Sequence, residues 1–260
     1  MVKTVPGIHR SASQGYTAAA ETYVRGRPDY PPQALQWLRE TMWAGAGKSV
    51  LDLGAGTGKF LPLLRETGAR LLALEPVAEM RAQLLRTNQD VEVLAGTAES
   101  IPLPDASLDA VVCAQAFHWF ATKEALAAIR RVLVPGGVLG LIWNVRDESI
   151  PWVAALSAIT NQFEAGTPRY RSGEWRRVFP AAGFTAIGER NARNTHVGSA
   201  ESVIVERTLS VSFIAALPDT QRLEVAQRVR ALIGGTAELA GGSEVAFPYE
   251  TSMFAYKKTG

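Results

Sequence analysis

Ser49-Val-Leu-Asp-Leu-Gly-Ala-Gly-Thr-Gly-Lys-Phe60 constrains this chain more than any other stretch. Val50, Leu51 and Leu53 form a short apolar run that stops at Gly54. A run of that length bounded by glycine reads as a buried parallel strand. Gly54, Gly56 and Gly58 then alternate through a turn, and from Lys59 onward the apolar spacing becomes helical, with Phe60, Leu61, Leu63 and Leu64. The expectation is strand, glycine turn, helix. Glycine suits the turn because a Cβ would obstruct both positive φ angles and the close approach of a ligand. The spacing also bears on the ligand. A dinucleotide-binding turn reads G-x-G-x-x-G and sets a pyrophosphate on the helix N-terminus. Here the third glycine comes one residue early, and Lys59 stands where that pattern needs glycine.

The stretch Leu51-Asp-Leu-Gly-Ala-Gly-Thr-Gly58 resembles the first motif of class I S-adenosylmethionine (SAM) methyltransferases. The resemblance implies that Gly54, Ala55, Gly56 and Gly58 pass beneath the methionine and ribose parts of the cofactor. Ala69-Arg-Leu-Leu-Ala-Leu-Glu75-Pro76 reads as a second buried strand ending in a carboxylate. Glu75 lies 17 residues beyond Gly58, near the roughly 20 expected for the ribose-binding acid of a Rossmann-like sheet. A carboxylate is acceptor-only and can take both ribose hydroxyls. Pro76 and Met80 are expected to flank the adenine.

A third strand at 91–95 leads into Gly96-Thr-Ala-Glu-Ser-Ile-Pro-Leu-Pro-Asp-Ala-Ser-Leu-Asp109. This resembles the segment that surrounds the adenine in the same family. It departs at Thr97, where the family commonly has an acid. Thr97 or Glu99 is left to hold the adenine amino group, and the Ala98 backbone N–H is the more portable contact. A fourth strand at 108–114 delivers Gln115-Ala-Phe-His-Trp-Phe120 to the carboxyl edge of the sheet, where ligands bind in open α/β folds. The resemblance implies a cofactor contact at Gln115 and an acceptor-facing pair at His118 and Trp119. A helix at 123–133, the turn Val134-Pro-Gly-Gly137 and a fifth strand at 138–143 continue the pattern.

Upstream, Tyr16, Ala19 and Tyr23 fall on one helical face, and Arg27-Pro-Asp-Tyr-Pro31 follows a break. This resembles the N-terminal segment of small-molecule methyltransferases of the trans-aconitate type, which folds over the cofactor. Tyr23 and Arg27 match the positions that approach the methionine carboxylate. The alternative is that the tyrosines only pack the helix against the core.

Strands alternating with helical patterns argue for an α/β fold with a Rossmann-like, doubly wound sheet. The resemblance makes it seven-stranded with a terminal antiparallel strand, supplied by a hairpin of 184–190 and 247–256, and adds a helical cap. A length of 260 residues sits near the upper limit for one continuous core, so 1–260 is expected to be a single domain. Residues 16–143 would be its cofactor-binding core, and 144–180 and 191–242 cap insertions. The first insertion carries Arg169, Arg171, Arg176 and Arg177 among Tyr170 and Trp175. These are either a solvated face or a pocket for an anionic acceptor, with Arg169 and Arg171 as candidate contacts.

The remaining composition narrows the classes. A formal net charge of +2 is no nucleic-acid footprint. Cys113 stands alone, which excludes an internal disulfide, and its apolar strand argues for an inert buried thiol. His9, His118 and His196 are too dispersed for a metal site. No secretory h-region and no bilayer-length apolar run is visible, so a cytoplasmic protein without membrane partners is expected. Oligomeric state is open. The reaction implied by the resemblance is in-line transfer of the SAM methyl group to an oxygen or nitrogen of a small molecule, with proximity and alignment as the main contribution of the protein. His118 could serve as a neutral base towards a hydroxyl, or as a donor that orients the acceptor. Two other classes stay open. One is a non-catalytic protein that binds SAM or another small molecule. The other is an NAD-dependent oxidoreductase, against which the early third glycine and the lack of a Tyr-x-x-x-Lys pair count.

Overall fold

The computed structural model describes residues 27–241 and 243–260. Helix α1 (Pro32–Glu40) opens the described chain with proline in its first turn, where the missing N–H is no loss and the fixed φ suits a helix. Strand β1 (Ser49–Leu53), helix α2 (Leu61–Arg65), strand β2 (Arg70–Leu74), helix α3 (Ala78–Thr87) and strand β3 (Glu92–Leu94) follow in strict alternation. Strand β4 (Leu108–Ala114), helix α4 (Lys123–Val132) and strand β5 (Leu133–Arg146) repeat it. Helix α4 is capped by Thr122, whose side chain accepts from the Ala125 N–H. Beyond β5 come α5 (Pro151–Asn161), β6 (Phe184–Gly198), the short α6 (Arg207–Leu209) and α7 (Ser212–Ala215), α8 (Asp219–Gly234) and β7 (Val245–Lys258). A single π-turn, Glu201–Glu206, leads into α6.

The strands form one seven-stranded mixed sheet in the order β3-β2-β1-β4-β5-β7-β6, with an antiparallel strand at its β7–β6 end. Pairing is parallel from β3 through β5. The chain runs outward from β1 to β3 and then returns to the other side of β1 with β4. The crevice between β1 and β4 is therefore the topological switch point, where open α/β sheets bind ligands.

Some expected boundaries move. The strand expected at 184–190 runs on to Gly198, so residues 191–198 are strand and not insertion, and the one expected at 247–256 spans Val245–Lys258. The Val134-Pro-Gly-Gly137 turn lies inside β5, because the chain pairs with β4 on both sides of it. Leu133 is opposite Leu108, and the next partners are Val138 and Ala110. The intervening residues form a bulge. A Cβ on Gly137 would sit 3.0 Å from the Asp109 and Val134 carbonyl oxygens, so the bulge closes on a residue that has none.

The described residues group into two compact units. One comprises Tyr30–Asn144, Pro168–Ala192 and Thr251–Gly260. Its core includes Trp37, Leu38 and Met42 beside Val50, Leu61, Leu64, Val112 and Ile142. The other comprises 27–29, Val145–Thr167 and Arg193–Glu250, built around Trp152, Val153, Leu156, Val203, Ile214, Val229 and Phe247. Of the segment expected as the first insertion, Pro168 onward belongs with the sheet unit. It packs through Tyr170 and Trp175, whose rings lie 5.0 and 4.7 Å from that of Trp143.

Candidate functional site

Parallel strands deliver their carboxyl ends to one edge, so the residues following β1, β2, β3 and β4 become neighbours. Those residues are the glycine turn, Glu75, the 96–99 turn and Gln115.

The glycine turn is left-handed at all three glycines, with φ of 76° at Gly54, 58° at Gly56 and 85° at Gly58. The Gly54 and Ala55 N–H groups both donate to the Leu74 carbonyl, at 2.9 and 3.1 Å. A Cβ on Gly54 would lie 2.8 Å from that of Ala116, and one on Gly58 would lie 2.7 Å from Asn88 Nδ2. At these two positions a side chain would run into protein. Gly56 differs, since its nearest neighbour would be Met80 Sδ at 3.8 Å. The backbone at Gly56 is thus open to an incoming group.

Glu75 ties the turn to β2. One carboxylate oxygen accepts the Gly56 N–H and the other the Val77 N–H, each at 2.8 Å. Each oxygen retains further acceptor capacity. The side chain is buried, which pushes its pKa up to about 7 despite the two N–H donors and the nearby Arg81 charge. Arg81 donates to the Glu75 and Pro76 carbonyl oxygens, at 2.8 and 2.9 Å, and so holds the start of α3.

Sequence reasoning missed Asp52. Its carboxyl is fully buried one residue before the end of β1, and neither oxygen has a hydrogen-bond partner among the described residues. Burial raises its pKa to about 8, and the Glu75 charge adds to the shift. The available signal was an acid interrupting the buried run Val50-Leu51-Asp52-Leu53. Two buried carboxyls with raised pKa values at the carboxyl ends of neighbouring strands are the pattern of a functional-site candidate. Cys113 on β4 is also fully buried, and its thiol is held well above the usual range by burial, with the Asp52 charge as a smaller cause. It is an inert thiol.

Met80 and Ala98 are buried, while Pro76, Thr97 and Glu99 are partly exposed. Thr97 bridges to Ser100, which folds 97–100 into a tight turn. Gln115 takes a left-handed φ of 57°, uncommon for a residue with a Cβ. Its backbone N–H donates to Ile142 O at 2.8 Å and its side chain to Asn144 O at 3.1 Å. His118 and Trp119 sit in a 3-10 turn, Phe117–Trp119, and remain partly exposed. His118 Nδ1 accepts the Trp143 indole N–H at 3.1 Å.

Arg169 is half-buried and Arg171 exposed, flanking the start of the 3-10 turn Tyr170–Ser172. Arg176 and Arg177 have acidic neighbours, Glu189 at 3.9 Å and Glu174 at 2.5 Å. Arg27 belongs to the second unit, where its guanidinium donates to the Ser210 carbonyl at 3.4 Å. Tyr23 and the helix expected around it lie outside the described residues. No described helix is long and apolar enough to cross a membrane.

A methyltransferase-domain family model matches residues 51–141, which span β1 to most of β5. An uncharacterized methyltransferase of Mycobacterium tuberculosis is 38% identical over 93% of this chain and 95% of its own length. An uncharacterized methyltransferase-like protein of Schizosaccharomyces pombe is 34% identical over 91% of this chain and 92% of its own. Among solved structures, one described as a type II methyltransferase from Anaeromyxobacter dehalogenans superposes with a TM-score of 0.61 at 26% identity, covering 90% of this chain and 97% of that one.

Proposed function

Because the chain belongs to the class I SAM-dependent methyltransferases, we propose that it methylates an oxygen or nitrogen of a small-molecule acceptor at the carboxyl edge of β1–β4. The observation that supports this reading most is the pairing of an open Gly56 backbone with Glu75, whose two oxygens pin the turn and still have acceptor capacity. The edge fits SAM in other respects. Asp52 offers a buried carboxyl with no protein partner among the described residues, and Met80 and Ala98 offer buried apolar surface.

When bound, SAM supplies a methyl group already activated by its sulfonium centre. In this reading Gly54, Ala55, Gly56 and Gly58 present backbone to it, Glu75 accepts its ribose hydroxyls, and Pro76, Met80, Thr97, Ala98, Glu99 and Gln115 surround the remainder. His118 and Trp119 face the acceptor, and Arg169 and Arg171 hold an acidic one. Alignment of the reacting atoms is the main task left to the protein.

A small acceptor is favoured over nucleic acid because the net charge is only +2, and because Arg176 and Arg177 have acidic neighbours. Phosphate recognition needs basic groups available for counterion release. The test is transfer of label from methyl-tritiated SAM to small carboxylic acids, phenols and amines, with bulk tRNA as a parallel acceptor. The expected result is label in a small-molecule fraction. Label confined to tRNA would contradict the reading.

A further inference from the structure

Trp143 and His118 form a hydrogen-bonded pair, and the proposed function leaves Trp143 unused. Trp143 is fully buried towards the carboxyl end of β5. Trp175, Tyr170 and Phe254 surround it, with ring centroids at 4.7, 5.0 and 6.0 Å. Its rotamer is thus fixed by packing on several sides. The one polar atom of the indole, Nε1, donates to His118 Nδ1 at 3.1 Å.

An indole N–H can only donate, so Nδ1 must be the acceptor and carries no proton. In the neutral imidazole the single proton is then on Nε2. Adding a proton at Nδ1 would set two donors against each other and leave a buried indole N–H without an acceptor, which is costly. A base needs a bare nitrogen to aim at its substrate. Here the bare nitrogen is occupied by the indole, and the other carries the proton.

We propose that Trp143 is a positioning residue that holds His118 as the neutral Nε2–H tautomer, so that His118 meets the methyl acceptor as a hydrogen-bond donor and not as a general base. The proposal rests on the reading that His118 faces the acceptor. The charged groups on the segment packed against the 117–119 turn have neighbours of their own. Arg176 lies over the Trp175 and Phe254 rings, at 4.5 and 4.7 Å, and Glu174 pairs with Arg177.

Long-range proton–nitrogen NMR on histidine-labelled full-length protein reads the tautomer directly. The chain has three histidines, and His118→Gln assigns the relevant signal. The expected spectrum shows a protonated Nε2 and a bare Nδ1 for His118, unchanged across the range around 6.5 where an ordinary imidazole titrates. Trp143→Phe keeps an aromatic ring but removes the N–H, and it should restore both titration and a mixture of tautomers. A protonated Nδ1, or ordinary titration in the wild type, would overturn the proposal without any variant having to fold. Activity separates the lock from the site reading. His118→Gln retains a side-chain N–H donor, so His118→Ala should lose about tenfold more methyl transfer than His118→Gln, the scale of one hydrogen bond. A locked tautomer with a fully active His118→Ala would overturn the donor role together with the placement of His118 at the acceptor.

Discussion

Among the three turn glycines, two make room for protein and one makes room for something else. Gly58→Ala would drive a Cβ to 2.7 Å from Asn88 Nδ2 and 3.1 Å from Leu61 Cδ1, so it should lower stability well beyond the ~1 kcal/mol of an ordinary left-handed alanine. Gly56→Ala meets only Met80 at 3.8 Å. It should lower stability by about 1 kcal/mol yet weaken cofactor binding far more. Thermal melts paired with ligand titration separate the two, and a Gly56→Ala variant that binds normally would place the ligand elsewhere. The carboxyl pair gives a pH signature. Folding raises Asp52 from 3.8 to about 8 and Glu75 from 4.5 to about 7. Between those limits the native state holds more protons than the unfolded chain, so this contribution to stability is full at low pH and is lost as pH rises towards 8. Asp52→Asn should flatten the fall in melting temperature of ligand-free protein between about pH 4 and 8, and parallel profiles would contradict the assignment. The glycines, Glu75 and the His118-Trp119 pair were legible in the sequence because spacing and resemblance marked them. Asp52 was not, because only burial distinguishes an orphaned strand carboxyl from an ordinary polar position. The His118–Trp143 hydrogen bond joins residues 25 apart, and no local pattern announces it.

Helices and strands of the core were legible almost to the residue, since a continuous apolar run between turn signals has few ways to be buried. β4 falls where its apolar run does, and α4 begins where its capping threonine stands. β5 was misread because Pro-Gly-Gly is a strong local turn signal, whereas pairing with β4 on both flanks makes it a bulge. The same strand carries a contact that sequence does not reveal. At Gly140 a Cβ would lie 2.3 Å from Met42 Sδ and 2.7 Å from the Trp37 ring. α1 and the loop after it therefore sit directly on the β5 backbone. Gly140→Ala should cost about 1–3 kcal/mol through overpacking, read as a lower urea midpoint with unchanged slope. A midpoint equal to wild type would mean that α1 yields without loss.

On the scale of the whole molecule, the Rossmann-like order was foreseeable because alternating strand and helix patterns leave few topologies open. The segments expected as insertions, 144–180 and 191–242, overlap the second unit at 145–167 and 193–250, but its exact bounds were not foreseeable. Cores built from distant segments, such as 145–167 with 193–250, carry no composition break at their boundaries. Methyl transfer requires the edge of the sheet unit to hold its cofactor, and every other claim about the site depends on that. Calorimetric titration of the wild type and Glu75→Gln with S-adenosylhomocysteine, the demethylated product, tests it most directly, with NAD as the competing ligand. The account predicts saturable one-to-one binding of S-adenosylhomocysteine and none of NAD. It also predicts at least about a tenfold weaker affinity in a folded Glu75→Gln, because hydrogen bonds to a charged group are worth about 1.5–3 kcal/mol. Equal affinities for the two proteins, or binding of NAD in place of S-adenosylhomocysteine, would contradict it.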